Sequence, residues 1–441
     1  MNNPEKRHYT VKCPLCGHQQ EDDGLRLTCP HGHEPALLQA EYAEREFRPR
    51  PDDAGLFRYR SWLPVTRTLS GVGRTAVFRS HGLARRLGLR NLWIAFNGYW
   101  PERGATLETC TFKELEAHTV LARMPQDSPV LVVASAGNTA AAFAAACADY
   151  EIPCLLLVPE SGLTKLQLRT PLHQGVRLVV LEGADYADAI SLAEAVADHP
   201  GFQLEGGVRN IGRRDGLGTV MYVAAEAMGE LPEYYFQAVG SAAGGIAVHE
   251  AAKRLLESGA FPGSRLPRLM FSQNASFAPI HTAWRSGRRE QPNPGGDDER
   301  ESIMTAFADE LTNRFPPYAA HSGVYDVLTE SRGDVLTVDR TSALAALHIV
   351  GESEGIDIEP AAAVAAASLA AAIEAGMISA DSAVLLNVTG GGRARLARDH
   401  RLVQAEPSLR VKPAEPRASV VAAVRELFPA HEHIAREVHV A

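Results

Sequence analysis

Short apolar segments alternate with alanine-rich helical segments along most of this chain. The apolar segments occupy residues 92–96, 130–134, 154–158, 176–180, 235–239, 269–271 and 383–387, and two of the helical ones occupy 139–149 and 186–197. Segments that are apolar at nearly every position, rather than at every second one, are typical of strands covered on both faces. The pattern predicts an α/β fold with parallel sheets, whose ligands bind at the carboxyl ends of the strands.

The chain is long enough for more than one such unit. Its 441 residues are 45% hydrophobic, which suffices for a large core and two α/β subdomains. We expect a catalytic domain over residues 46–402, with a smaller subdomain at about 115–205, and an extension over 403–441 that contains an amphipathic helix at 418–427. The polar segment 286–302, rich in Arg, Gln, Pro, Gly and Asp, is predicted to be an exposed loop.

Charge and composition exclude several classes of function. A formal net charge of -9 gives no electrostatic attraction for nucleic acid or an anionic membrane surface. The chain contains no long apolar run of membrane-spanning length, and residues 1–9 lack the apolar core of a signal peptide. Six cysteines do not make a disulfide scaffold in so long a chain. We expect a cytoplasmic protein that acts on small molecules and assembles as a homo-oligomer.

The first 45 residues form a separate pattern. Two residues separate Cys13 from Cys16 and twelve separate Cys16 from Cys29, with His31 and His33 close behind. Two tight turns that each present a pair of thiolate or imidazole donors can build a tetrahedral zinc site. The fourth ligand is His33 or His31, and the three residues between Cys29 and His33 favour His33. We predict a small zinc-ribbon-like module, with a zinc ion that is structural because four protein ligands leave no open position.

Lys113 lies in the sequence Thr-Cys-Thr-Phe-Lys-Glu, in a chain that carries nearly all its positive charge on arginine. A lysine amine can lose its proton when it is desolvated, whereas a guanidinium cannot. Schiff-base chemistry with a carbonyl cofactor requires such an amine. The alternative for this segment is an exposed helix lysine.

Three small-residue turns follow predicted strands. The first would hold a carboxylate through backbone N–H groups at the start of a helix, and comprises Ser135, Ala136, Gly137, Asn138 and Thr139. The second would let backbone N–H groups approach a phosphate, and comprises Gly240, Ser241, Ala242, Ala243, Gly244 and Gly245. The third carries Thr389 before three glycines, where a hydroxyl could bind a pyridine nitrogen.

With Lys113, these turns occur in the order and spacing of the fold type II pyridoxal-phosphate enzymes, the tryptophan synthase β-like fold, and the chain resembles their threonine synthase branch. The resemblance runs from about Cys13 to Arg395. It implies that pyridoxal 5'-phosphate is the cofactor and that Lys113 forms its Schiff base. It further implies that Asn138 contacts the 3-oxygen, residues 240–245 bind the phosphate, and Thr389 faces the ring nitrogen.

Longer blocks are similar to the cysteate synthases of coenzyme M biosynthesis: residues 96–105, 109–117, 205–210, 213–221 and 235–241. This resemblance implies replacement of the phosphate of O-phospho-L-serine by sulfite. Two dianionic groups then need fixed positive charge, for which we expect Arg103 and Arg209, and less strongly Arg213 and Arg214, which could instead be ion-pair partners.

One departure and several alternatives accompany this interpretation. Ala242 and Ala243 stand where a glycine and a threonine are expected, so a hydroxyl donor to the cofactor phosphate is missing. A threonine synthase acting on O-phosphohomoserine would share the cofactor residues, as would a specialised β-replacement enzyme with another nucleophile. A zinc-ribbon interaction protein with an inactive α/β body is a third possibility, against which the presence of Lys113, Asn138 and Thr389 argues.

Overall fold

The computed structural model describes residues 7–290, 297–412 and 415–429. Its strands are β1 Tyr9–Lys12, β2 Gln19–Gln20, β3 Gln39–Tyr42, β4 Ala76–Arg79, β5 Leu92–Phe96, β6 Tyr99–Trp100, β7 Ala105–Thr106, β8 Val130–Ala134, β9 Cys154–Pro159, β10 Gln167–Leu168, β11 Val176–Leu181, β12 Phe202–Leu204, β13 Tyr234–Ala238, β14 Arg268–Asn274, β15 Asp334–Val338, β16 Val384–Val388, β17 Val403–Gln404 and β18 Leu409–Val411. Its α-helices are α1 Gly82–Leu87, α2 Lys113–Arg123, α3 Asn138–Asp149, α4 Tyr186–Ala197, α5 Ile211–Met228, α6 Ala243–Glu257, α7 Pro279–Arg285, α8 Asp297–Met304, α9 Val324–Ser331, α10 Arg340–Glu354, α11 Pro360–Glu374, α12 Arg393–Asp399 and α13 Arg417–Glu426.

The smaller of two main sheets is entirely parallel, in the order β12-β8-β9-β11-β18. All six residues of β9 are buried, because helices cover both faces. Residues such as Leu156 and Val158 pack with α3, whereas Leu155 and Leu157 pack with α4 and α13. The continuous apolar character of this strand therefore reflects two covered faces, as the sequence predicts.

The larger sheet has the order β15-β14-β13-β16-β5-β4, and it is parallel apart from the edge strand β4. One face packs against α5 and α6 and the other against α11. Alternate residues of β13 separate accordingly, with Tyr235 on the α5–α6 face and Phe236 on the α11 face. The two parallel sheets with flanking helices confirm the predicted α/β fold class.

The N-terminal segment forms a three-stranded antiparallel sheet, β2-β1-β3. It is joined to the rest of the molecule by a buried ion pair between Asp22 and Arg123, the last residue of α2. The Arg123 guanidinium donates two hydrogen bonds to the Asp22 carboxylate, of 2.9 and 2.8 Å. The helix that begins at Lys113 is therefore anchored at its far end by the N-terminal segment.

Two segments differ from the sequence expectation. The predicted loop 286–302 contains the start of α8 at Asp297, while residues 291–296 lie outside the described part of the chain. The segment after residue 402, expected to be an extension, adds β18 to the smaller sheet beside β11, and α13 packs on α4. Within the described residues, no helix combines the length and apolar character that crossing a membrane requires.

Candidate active site

A pocket lies between the two main sheets, at the carboxyl ends of β8, β13 and β16. It brings together most of the residues that the sequence singles out: Lys113, Ser135, Ala136, Gly137, Asn138, Thr139, Gly240, Ser241, Ala242, Gly244 and Thr389. Ala243 and Gly245 are buried behind the pocket wall, where a Cβ on Gly245 would lie 2.3 Å from the Phe271 ring. The turns after β13 and β16 meet because these neighbouring parallel strands end at the same edge of the larger sheet, and the turn after β8 in the smaller sheet lines the same pocket.

Backbone pairing brings the residues just before Lys113 against Thr389 and Gly390. The Phe112 N–H donates to the Thr389 carbonyl at 3.0 Å, and Thr111 pairs with Gly390 as an isolated bridge. Cys110 turns the chain into this bridge with a φ of 59°, in the left-handed region that non-glycine residues rarely adopt. This strained turn lets α2 begin at Lys113, at the pocket.

Burial lowers the pKa of Lys113 below its ordinary value, and the positive charge of Arg213 adds to that effect, while the Glu116 carboxylate opposes it. The Lys113 Nζ lies 3.3 Å from Glu116 Oε2. The Lys113 side chain keeps 23% of its surface exposed, towards the pocket, and a partly desolvated amine at such a place is the group that covalent chemistry with an aldehyde cofactor needs.

The orientation of the Asn138 amide follows from its neighbour. Arg393 Nη2 donates to Asn138 Oδ1 at 3.2 Å, and the Arg393 guanidinium also pairs with the Glu359 carboxylate. Because arginine can only donate hydrogen bonds, the atom facing it must be the amide oxygen, which leaves the Asn138 NH₂ as a donor on its other side. That donor is what a phenolate oxygen in the pocket would require.

The turn before α3 is stabilised by Ser135. Its Oγ accepts hydrogen bonds from the N–H groups of Gly137 and Ala140, both at 3.0 Å. The hydroxyl proton of Ser135 is thereby left to be donated elsewhere. Gly137 has a φ of 129°, and a Cβ there would lie 2.7 Å from Lys165 Cδ, so this position needs glycine.

The start of α6 fits a phosphate. The first N–H groups of a helix have no intrahelical acceptor, and they carry the positive end of the helix dipole. A Cβ on Gly244 would lie 2.7 Å from Gln237 Nε2 and 2.8 Å from a Phe112 ring carbon, which explains the small residue. Ala242 precedes the helix with a φ of 58°, again in the left-handed region. Two helix starts, a desolvated lysine and an oriented amide together fit pyridoxal phosphate.

The arginines predicted to hold substrate oxyanions lie in different parts of the structure. Arg103 is exposed and stacks on Phe78 and Trp100, with its guanidinium carbon 4.6 and 5.1 Å from their ring centroids. Arg103 does not line the pocket, so the structure gives no support to the prediction that it binds the substrate. Arg209 is half-buried in a groove that adjoins the pocket and shares Tyr186 with it. Within the described residues, no carboxylate pairs with Arg209.

The other two arginines are ion-pair partners rather than free cations. Arg213 lies on the pocket wall, where it donates to Glu116 and Glu205. Arg214 is buried against Glu250 and donates to the Val208 carbonyl at 2.5 Å. This result agrees with the ion-pair alternative that the sequence left open.

The four predicted zinc ligands converge. The Sγ or ring nitrogen atoms of Cys13, Cys16, Cys29 and His33 all lie within 4.8 Å of one another. Cys16 Sγ is 3.7 Å from Cys29 Sγ, close to the edge of about 3.8 Å that a tetrahedron with zinc–sulfur bonds of about 2.3 Å requires. His33 Nδ1 contacts the Glu34 carbonyl at 2.7 Å, which leaves Nε2 facing Cys13 Sγ at 3.4 Å.

His31 remains near this cluster, with its Nδ1 3.6 Å from Cys16 Sγ, but its ring packs against His18. The donor set and spacing fit zinc with His33 as the fourth ligand.

Two acidic residues at the pocket, Glu310 in its lining and Glu116 buried beside it, were not predicted from the sequence. Glu310 lines the pocket, and burial raises the pKa of its carboxyl to about 7 although the Lys165 ammonium lies 3.5 Å away. Glu116, one helical turn after Lys113, is completely buried. The three-residue spacing from Lys113 was a usable signal for Glu116, whereas nothing local points to Glu310.

The fold and this pocket define a pyridoxal-phosphate-dependent enzyme, and the family described as "Pyridoxal-phosphate dependent enzyme" matches residues 68–390. Within that class, the chain belongs to the cysteate synthase family. It is 45% identical over 403 residues to the cysteate synthase of Methanosarcina barkeri, which covers 91% of this chain and 96% of the relative. It is 46% identical to the cysteate synthase of Methanosphaerula palustris, and that match covers 92% of this chain and 95% of the relative. It is also 46% identical to the cysteate synthase of Methanoculleus marisnigri, with 93% of this chain and 94% of the relative covered.

Solved structures support the fold alone. Maize serine racemase superposes with a TM-score of 0.55 at 19% identity, covering 74% of this chain and 91% of the racemase. The processed form of threonine deaminase isoform 2 from Solanum lycopersicum gives a TM-score of 0.54 at 16% identity, covering 81% and 89%. Both comparisons confirm that the central architecture is the one predicted from the sequence.

Proposed function

We propose that this enzyme replaces the phosphate group of O-phospho-L-serine with sulfite, giving L-cysteate and inorganic phosphate. The observation that carries the proposal is the similarity to cysteate synthases over more than nine-tenths of the chain. In the reaction, the Cβ–O bond breaks with its electron pair leaving on phosphate, and the lone pair of the sulfite sulfur forms the new Cβ–S bond. No oxidant or reductant is consumed.

We assign the site residues as follows. Lys113 is the covalent attachment point of the cofactor, which supplies an electron-withdrawing ring that stabilises negative charge at Cα. The freed Lys113 amine takes the Cα proton and later returns it to the same carbon. Burial favours the neutral amine that this role needs.

The remaining donors hold charge in place. The N–H groups at the start of α6, in residues 240–245, hold the cofactor phosphate, and the Asn138 NH₂ donates to the ring oxygen. The Thr389 hydroxyl would donate a hydrogen bond to the ring nitrogen without protonating it, and the turn Ser135–Thr139 would hold the substrate carboxylate. This arrangement rests on the lining of the pocket and on the orientation that Arg393 imposes on Asn138.

Arg209 is the group that we assign to the oxyanions of phosphate and sulfite. Its guanidinium has no ion-pair partner within the described residues and lies in the groove that adjoins the pocket. A planar guanidinium binds tetrahedral oxyanions through two parallel hydrogen bonds, which a lysine cannot reproduce. Arg103 has no part in this assignment.

The zinc assignment is structural. We propose that Cys13, Cys16, Cys29 and His33 hold one ion, supported by their separations. A closed set of four protein ligands offers no position for substrate. Homo-oligomer formation and a cytoplasmic location stay predictions from the sequence.

Product identification tests the proposal. We expect the purified enzyme to form cysteate from phosphoserine and sulfite, and to do so faster than it forms threonine from phosphohomoserine. A pocket with fixed donors should reject a phosphate displaced by one methylene, because buried donors would then be unpaired. Arg209→Lys should reduce turnover, whereas the matched substitution Arg103→Lys should not. Faster threonine formation would refute the substrate assignment and leave the cofactor assignment intact.

A further inference from the structure

Glu116 makes contacts with three functional elements at once. Its side chain is completely buried, and Oε2 lies 3.3 Å from Lys113 Nζ. Oε1 accepts hydrogen bonds from the Thr139 hydroxyl at 3.0 Å and from Arg213 Nη1 at 2.5 Å. A single carboxylate therefore connects the pocket lysine with the turn before α3 and with α5.

Glu205 supplies a second buried carboxylate next to Arg213, and with Glu116, Arg213 and Lys113 it forms a cluster of charged groups. It accepts from Arg213 Nε at 2.9 Å and from Arg213 Nη2, and it also accepts from the Gly207 N–H at 2.9 Å. Two carboxylates and two cations sum to zero when the Lys113 amine is protonated, and to one negative charge when it is neutral. Buried charges persist only when they are paired, so the protonation of Lys113 is part of this balance.

The groups that face the Lys113 amine shift its pKa in opposite directions. Burial lowers the pKa of Lys113, and Arg213 on α5 lowers it further, while Glu116 and the more distant Glu205 raise it. Tyr186 at the start of α4 stands next to the same cluster, where burial raises the pKa of its phenol and Arg213 lowers it. Glu116 is the only one of these carboxylates within hydrogen-bond reach of the amine in the described structure.

We propose that Glu116 is the positioning residue of this site: it holds the Lys113 amine at the pocket, and its charge, balanced by Arg213 and Glu205, sets how readily that amine gives up its proton. The Thr139 contact ties the same carboxylate to the turn assigned to the substrate carboxylate. The inference rests on the proposed role of Lys113 and adds a group that controls it. A merely structural Glu116 would stabilise helix packing and leave the amine unaffected.

The test measures the Lys113 amine directly, in the cofactor-free full-length protein. Acylation of Lys113 by an amine-reactive reagent is followed by mass spectrometry across a pH series, with the exposed Lys253 as the internal reference in each sample. Glu116→Gln removes a negative charge next to Nζ. We expect the pH midpoint of Lys113 labelling to fall by about one unit or more, since a charged partner in contact shifts a pKa by roughly 1–3 units.

A second variant should shift the pH midpoint of Lys113 labelling in the opposite direction. Arg213→Gln removes the positive charge that opposes protonation, so the Lys113 midpoint should rise. The matched control is Glu114→Gln on the same helix, because Glu114 is equally buried but bonds Thr109, with the Thr109 N–H at 2.9 Å. That variant should leave the Lys113 midpoint in place.

An unchanged Lys113 midpoint in folded Glu116→Gln, or the same shift in Glu114→Gln, overturns the proposal. Should Glu116→Gln not fold, Glu116→Asp decides the question: it keeps the charge but draws the oxygens away from Nζ, so a smaller downward shift is expected and an unchanged midpoint contradicts us. The labelling needs no substrate. A wrong substrate assignment would therefore not alter these results, and a failed shift would not touch the substrate assignment.

Discussion

The buried ion pair between Asp22 and Arg123 should be a major source of stability. Both side chains are almost inaccessible to water, with 0% and 1% of their surface exposed. Asp22→Ala leaves the Arg123 guanidinium buried with only Asn210 and the Arg26 carbonyl as acceptors. Removing one partner of a buried pair costs about 3–5 kcal/mol, since the other charge is left without compensation.

The pH dependence of this contribution has a defined sign. Burial by itself would raise the pKa of Asp22, but the hydrogen bonds and charge of Arg123 outweigh it, and the pKa lies below the ordinary value of 3.8. Asp22 is therefore charged in the folded enzyme at pH values where the unfolded chain already takes up a proton. The stabilisation is complete above about pH 4 and is lost as the pH falls through the lowered pKa.

Urea unfolding at neutral pH measures the effect. The matched control is Glu46→Ala, which breaks an exposed pair with Arg48 and should cost no more than about 1 kcal/mol. Replacing both buried partners, as Asp22→Leu with Arg123→Met, should cost less than Asp22→Ala alone, because no charge is then stranded. A loss below about 1 kcal/mol for Asp22→Ala would refute the reasoning.

Three further predictions concern the zinc module, the phosphate turn and the oriented amide. Cys16→Ser should reduce the metal content from about one zinc ion per chain and lower the thermal unfolding temperature, while the folded protein keeps its catalytic activity. Immediate inhibition by a chelator, without unfolding, would contradict this structural role of the metal. Ala242→Gly should stabilise the protein by roughly 0.5–1 kcal/mol in thermal unfolding, because glycine adopts a positive φ without strain; a destabilised variant would be evidence against a strained turn. Arg393→Leu should weaken cofactor binding roughly tenfold by freeing the Asn138 amide to rotate, whereas Arg395→Leu on the same helix should not; equal affinities would count against the orientation argument.

The elements that the sequence predicts best are those with a continuous apolar run or a clear helical repeat. β5 and β8 have the predicted bounds, as does α4, because continuous apolar runs and a repeated helical face leave little choice of register. Helix α5 was not predicted, since glycines at 212, 216 and 218 lower its helix propensity. Those glycines serve packing: a Cβ on Gly216 would lie 2.6 Å from the Leu115 carbonyl.

The residues of the candidate site likewise differ in how well the sequence predicts them. The three turns could be found because each follows a predicted strand, and Lys113 because lysine is rare in this arginine-rich chain. The spacing of Glu116 after Lys113 was a usable signal, but the contacts that Glu116 and Glu205 make with Arg213 could not be predicted, since three separate segments bring these residues together. Arg103 shows the converse: its sequence block suggested an oxyanion pocket, while in the structure the guanidinium stacks on Phe78 and Trp100 at the surface.

The most direct test of the central claim is to locate the cofactor on the chain. Borohydride reduction of the holoenzyme, followed by proteolysis and mass spectrometry, fixes the cofactor to the lysine that holds it. We predict a single modified peptide that contains Lys113, unchanged in the control variant Lys165→Arg and absent from Lys113→Ala. A cofactor found on Lys165 or Lys253 would contradict the account.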